Sequence, residues 1–161
     1  MPGTGKSYIG EKLAETLAYK LIETDVLLEA FFGQTIFLVL DNVSENSFLK
    51  EQENILLTST NIPEPFIVSP GGSIIYLERA MFHLKKVLKV TYLKNSLETI
   101  LERVAKSPRK IIGMKGKTVE QLYKERSLLY EKWADGIIDA EQDIDSIVRD
   151  IKIKCNYRRI F

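Results

Sequence analysis

The chain opens MPGTGKSYIGEKLAE, and no other stretch constrains the fold so strongly. Gly3 and Gly5 flank Thr4 and lead directly into Lys6 and Ser7. Glycines take φ > 0 without steric cost, so successive backbone N–H groups can converge closely on a ligand. Behind them Ile9, Leu13, Ala14 and Leu17 repeat with helical spacing, which predicts a helix over 7–18. A glycine turn that opens a helix aims free N–H groups and the positive end of the helix dipole at an anion. The pattern Gly-x-x-x-x-Gly-Lys-Ser/Thr is met from Gly3 onward, its first glycine falling one position ahead of Met1. Gly3, Thr4, Gly5, Lys6 and Ser7 are thus the candidate nucleotide-binding residues. Lys6 would reach the outer phosphates of ATP as a point charge, and the Ser7 hydroxyl would ligate Mg²⁺. The bland alternative is a glycine-rich turn that merely starts a helix.

The rest of the chain alternates strand-like and helix-like segments. Strands are predicted at 19–22, 66–68, 87–93 and 137–138, and helices at 45–58, 96–105, 118–132 and 143–151. Strands separated by helices imply a three-layer α/β fold, a parallel sheet flanked by helices. A phosphate-binding loop ordinarily follows a buried strand, and the sequence begins inside the loop. The expectation is a sheet lacking its first central strand, from a start placed too late or a truncated gene, with low stability or weak ATP binding as the consequence. The basic, glycine-punctuated stretch KSPRKIIGMKGK, about 106–117, reads as a mobile lid, and 153–161 as a frayed tail. One domain spanning 1–161 suits a chain of 161 residues that is 45% hydrophobic.

Composition narrows the setting. A net charge of +1 offers no nucleic-acid or membrane surface, and the apolar run 36–40 is too short to cross a bilayer. Cys155 is the single cysteine and cannot form an internal disulfide, as befits a reducing cytoplasm. A cytoplasmic monomer acting on a small molecule is expected. His83 reads as a surface or half-buried residue and Trp133 as a core residue, and no His/Cys cluster suggests a metal beyond the Mg²⁺ that accompanies ATP.

In parallel sheets ligands gather at the carboxyl ends of the strands. There the sequence sets Glu23-Thr24-Asp25 after one strand and SPGGS after another. Asp25 could take the proton of an acceptor hydroxyl, or merely cap the helix VLLEAFF. Gly71 and Gly72 would let a substrate close to the backbone, or simply form a turn.

With these residues in order, PGTGKS…IETD…SPGGS…RKII…ERSLLY…AD, the chain resembles the shikimate kinases, P-loop enzymes of the nucleoside-monophosphate-kinase-like group. The likeness runs from Met1 to about Ile151. It implies transfer of the ATP γ-phosphate to the 3-hydroxyl of shikimate beneath a basic lid. On that basis Lys6, Asp25 and Arg109 are candidate catalytic residues, with Arg109 reaching the ATP phosphates from the lid. Asp25, Gly71, Gly72 and Arg126 are candidate substrate contacts, Arg126 taking the carboxylate, and Ser7 and Glu23 are candidate holders of the metal or its water.

The chain also departs from the family pattern. Glu23 stands for an aspartate, Lys110 for the proline after the lid arginine, and Ser73 for a third glycine, where its side chain would crowd substrate or backbone. Leu49 replaces a second carboxylate-binding arginine and Gln52 that arginine's glutamate partner, a loss worth roughly 1.5–3 kcal/mol of acceptor binding. Lys50 points elsewhere on its helix. Weak shikimate binding is therefore expected. The alternatives are a nucleotide-binding domain that has lost catalysis, or a kinase of another hydroxyl compound such as gluconate.

Overall fold

The computed structural model describes residues 1–108 and 110–155. Helix α1 (Lys6–Leu17) starts from Gly5, whose φ of 84° lies in the left-handed region, and no side chain caps its first turn. Its buried face, Ile9, Gly10, Leu13 and Ala14, is the stripe expected from the sequence. Strand β1 (Lys20–Glu23) then runs into α2 (Thr24–Phe32), which ends at Gly33 with φ 64°. Helices α3 (Ile36–Asn42) and α4 (Glu45–Ser59) follow, the latter capped by Ser44, whose hydroxyl accepts from the Ser47 N–H. Phe48, Gln52 and Leu56, spaced four apart, form the buried face of α4.

Strand β2 (Phe66–Ser69) leads through Gly71 into a 3₁₀ turn (Gly72–Tyr76) and α5 (Glu78–Val87). Strand β3 (Thr91–Lys94) precedes α6 (Leu97–Lys106), and the stretch after it leads to α7 (Val119–Trp133). Thr118 and Gln121 exchange hydrogen bonds at the start of α7 in a capping box. Strand β4 (Gly136–Asp139) and α8 (Ile144–Lys154), capped by Asp143, complete the order.

All strand pairing is parallel, in two separate pairs among the described residues: β1 with β2, and β3 with β4. Between β2 and β3 runs an apolar groove of about 190 Å³, lined by residues 66–69 and 90–93, by α1 and by side chains of α5. One apolar cluster joins α1, β4 and α8. A second lies around α5, the 3₁₀ turn and Trp133, and a third gathers α2, α3 and α4 around Leu28, Val39 and Phe48.

Some expectations need correction. The strand predicted over 87–93 begins only at Thr91. Val87 completes the last turn of α5, and Leu88 and Val90 pack on the second cluster instead of pairing in a ladder. Helix α3 is not expected from the sequence, where 36–40 is a run of consecutive apolar residues without helical period; packing of Val39 and its neighbours against α2 and α4 decides the matter. Asp25 does not cap α2: Glu23 holds the cap position without a side-chain bond, and Asp25 lies in the first turn.

Candidate active site

The phosphate-binding loop is shaped by two left-handed glycines, Gly3 at φ 79° and Gly5 at φ 84°. Thr4 between them is buried, and its hydroxyl donates to the Met1 carbonyl at 3.1 Å, closing the loop on itself. No acidic residue occupies the first turn of α1, so its N–H groups and dipole face the loop without an internal competitor. Ser7 lies exposed in that turn. From α6, Arg103 reaches over and donates to the Gly3 carbonyl at 2.7 Å. No spacing in the sequence singles out Arg103, since its link to Gly3 spans 100 positions.

The second wall is the Gly71–Gly72 turn at the end of β2. Thr24, fully buried, accepts the Gly71 N–H at 3.1 Å and so fixes the turn beside the end of β1. Tyr130 of α7 donates to the Gly72 carbonyl at 2.8 Å and accepts from the Met1 nitrogen at 2.8 Å. Burial pushes the Tyr130 phenol up to about 12, which keeps its proton available for that bond. Tyr130 follows Arg126 by four residues, so both fall on one face of α7.

Arg126 is 2% exposed. Its guanidinium donates to the Ile112 carbonyl at 2.6 Å and to the Tyr76 hydroxyl at 3.2 Å, and it lies over the Tyr76 ring. Its Nη1 faces Gly72, where an added Cβ would lie 3.3 Å away. Ile112 and Tyr76 engage two directions of the fork, and the Tyr130 hydroxyl also lies within hydrogen-bonding reach of the guanidinium.

These walls enclose a cavity of about 330 Å³ lined by Lys6, Asp25, Gln52, Gly71, Gly72, Ser73 and Arg126, with Phe37, Phe48 and part of the 106–117 stretch over it. Asp25 opens into the cavity. Crowding by protein raises its carboxyl above the ordinary value; Lys6 pulls it down, and Glu29 and Glu23 add to the rise. Asp25 is accordingly a stronger base than a free carboxylate, with an ammonium group close enough to steady its ionised form. Lys6 also lines the apolar groove, so it stands where loop, cavity and groove meet.

The cavity thus brings Lys6, Asp25, Gly71, Gly72 and Arg126 together, next to the loop formed by Gly3, Thr4, Gly5 and Ser7. Glu23, at the end of β1, does not line the cavity. Arg109 lies outside the described residues. Ser73, which lines the cavity, is buried, and its hydroxyl donates to Gln52 Oε1 at 2.8 Å. Leu49 packs against the third apolar cluster and does not line the cavity.

The described part of the 106–117 stretch is pinned down over the cavity. Arg126 holds the Ile112 carbonyl, and the Gly113 N–H donates to both Glu45 carboxylate oxygens at 3.2 Å. Lys110 pairs with Asp41 and lies over the Phe37 ring at 4.3 Å. The sequence composition of this segment gave no sign of these anchors.

A family profile described as shikimate kinase matches residues 2–156. The chain belongs to the shikimate kinase family. A shikimate kinase of Clostridium botulinum (strain 657 / Type Ba4) is 31% identical over 159 residues, covering 94% of this chain and 92% of that protein. Among solved structures, a shikimate kinase from Acinetobacter baumannii in complex with shikimate superposes with a TM-score of 0.83 at 23% identity, over 98% of this chain and 90% of that one. A gluconokinase from Sinorhizobium meliloti superposes with a TM-score of only 0.52 at 19% identity, over 96% and 86%. The fold is the P-loop kinase type: parallel strands flanked by helices.

Proposed function

We propose that this shikimate kinase-like protein transfers the γ-phosphoryl group of ATP to the 3-hydroxyl of shikimate. One observation carries the reading: Lys6, at the start of α1, and Asp25 line one cavity whose far wall holds the buried guanidinium of Arg126. A kinase for a hydroxylated carboxylate needs that sequence of phosphate cradle, base and carboxylate fork.

The donor set suits a nucleotide triphosphate. Two left-handed glycines and an uncapped helix start leave backbone N–H groups free to face phosphate oxygens. The Ser7 hydroxyl and Glu23 carboxylate are the oxygens that would hold Mg²⁺ or its water, and the ion when bound would neutralise phosphate charge. Lys6 would stabilise charge spreading over the transferred group. Asp25 would accept the hydroxyl proton, and Arg126 would orient the acceptor through its carboxylate. Thr24 and Tyr130 hold Gly71 and Gly72 in place, keeping the acceptor near Asp25. Arg109 is the lid residue we expect to meet the phosphates.

A different hydroxyl acceptor is the second reading, favoured by Leu49, which contributes no second cation to the cavity. Measuring ADP release with shikimate, gluconate and a panel of polyols separates the readings. Turnover with shikimate, at a KM raised by about ten- to a hundredfold over a site with two arginines, is the expected result. Turnover only with another acceptor, or none with any, would overturn the assignment.

A further inference from the structure

Gln52 is an unusual residue for the middle of a core-facing helix stripe. It is 1% exposed, lies between Phe48 and Leu56 on the buried face of α4, and borders the acceptor cavity. Its carbonyl oxygen is engaged by the Ser73 hydroxyl at 2.8 Å. The amide nitrogen points the other way. A Cβ placed on Gly71 would stand 2.3 Å from Gln52 Nε2 and 2.6 Å from Asp25 Oδ1, so both atoms converge above the same glycine. Rotating the amide by half a turn would bring its oxygen toward the Asp25 carboxylate, two acceptors facing each other, and would leave Ser73 facing the nitrogen. Asp25, which only accepts when ionised, therefore fixes which end of the amide meets the cavity, and the Ser73 hydroxyl holds the other end.

An NH₂ group carries two donors, and a buried donor without an acceptor is costly. Asp25 Oδ1 is the acceptor nearest to that position above Gly71. We propose that Gln52, held by Ser73, is a specificity-determining residue that donates to a second hydroxyl of the acceptor, adjacent to the hydroxyl whose proton goes to Asp25. The proposal deepens the shikimate reading and rests on it. Its chemistry selects a vicinal diol: one oxygen gives up a proton to the carboxylate, and its neighbour receives a hydrogen bond from the amide. A glutamate at this position could not donate when ionised, and a glycine at position 73 could not orient an amide, so the two residues act as a pair.

The test compares shikimate with 4-deoxyshikimate in the unaltered protein, in Gln52→Leu and in Ser73→Ala, and follows Gln52→Glu by its rate profile against pH. Gln52→Leu should raise the KM for shikimate about tenfold while leaving the KM for ATP unchanged. It should leave the constant for 4-deoxyshikimate almost unaltered, which a loss of folding would not do. Gln52→Glu, matched in shape, should move the acidic limb of the rate profile upward, because a second carboxylate beside Asp25 disfavours its ionised form; its carboxylate can still accept from the hydroxyl, so this variant is read by that shift and not by the deoxy comparison. Ser73→Ala should weaken the discrimination by a smaller factor. Equal losses with both acceptors, or a shikimate KM unchanged in Gln52→Leu, would overturn the inference while leaving the kinase reading intact. Absence of shikimate turnover in the unaltered protein would overturn both.

Discussion

Replacing Gly71 with alanine tests the steric placement of Asp25 and of Gln52 beside it. Gly71 has an ordinary φ of −57°, so alanine meets no backbone strain there. The added methyl would instead lie 2.6 Å from Asp25 Oδ1 and 2.3 Å from Gln52 Nε2. Restoring a contact of about 3.5 Å requires the Asp25 carboxylate to retreat by roughly 1 Å, and Gln52 by slightly more. Overpacking of this kind costs about 1–3 kcal/mol, and a misplacement of that size costs on the order of 10²-fold in rate. Gly71→Ala should therefore lose about a hundredfold in kcat with shikimate while its affinity for ATP, measured by calorimetry, stays within threefold. Gly33→Ala is the control: nothing lies within 4 Å of its added methyl, but its φ is 64°. That variant should lose roughly 1–2 kcal/mol of stability through backbone strain and retain kcat. A Gly71→Ala protein with unaltered kcat and shikimate KM would refute the claim that Asp25 acts from the position described.

Arg126→Lys should lower stability by about 1–3 kcal/mol and raise the KM for shikimate, because one ammonium cannot serve Ile112, Tyr76 and a carboxylate together; thermal melting and steady-state kinetics check both. Asp41→Asn should change stability by less than about 1 kcal/mol, with a difference that shrinks as salt rises, since both partners of Lys110–Asp41 are partly exposed. The rate should fall as pH drops through the raised pKa of Asp25, which must be ionised to accept a proton. In Lys6→Met, which removes the lowering influence of the ammonium, the Asp25 carboxyl should titrate at still higher pH by NMR. Glu141, held by the Thr99 and Ser96 hydroxyls and the Ser96 N–H, titrates at about 2 instead of 4.5. Its stabilisation is present above the unfolded value and disappears as pH falls toward 2, so Glu141→Gln should flatten the stability–pH curve over that window.

What could be read in the sequence was what repeats or follows fixed chemistry. The loop residues, the stripe of α1, the approximate starts of the helices near residues 45, 96 and 143, and the grouping of Asp25 with Gly71 and Gly72 all follow from local spacing and the position of strand ends. Helix α3 was illegible because IFLVL carries no period, and the end of α5 because apolar residues there serve packing instead of a ladder. Sequence showed that position 52 carries an amide and position 73 a hydroxyl. It did not show that they bond, because the link joins a helix to a 3₁₀ turn 21 positions away. The same holds for Arg103, Tyr130 and Thr24, whose roles lie wholly in contacts between distant segments.

Those distant contacts bear on how the phosphate loop is held. The groove between β2 and β3 separates the loop from direct support by a continuous sheet. A loop of glycines left to itself would sample many conformations, and ordering it would cost free energy whenever an anion arrived. Here the Thr4 hydroxyl closes the loop on Met1, Arg103 holds the Gly3 carbonyl from α6, and Tyr130 joins the Met1 nitrogen to the Gly72 carbonyl. The last of these links matters most, because it couples the phosphate side of the cavity to the acceptor side through one buried hydroxyl. A displacement of α7 that moved Tyr130 would shift Arg126, four residues earlier on the same face, as well. The loop, the Gly71–Gly72 turn and the Arg126 guanidinium are therefore positioned as one unit, and under the proposed kinase reading the order needed for phosphoryl transfer resides in α7 as much as in the loop.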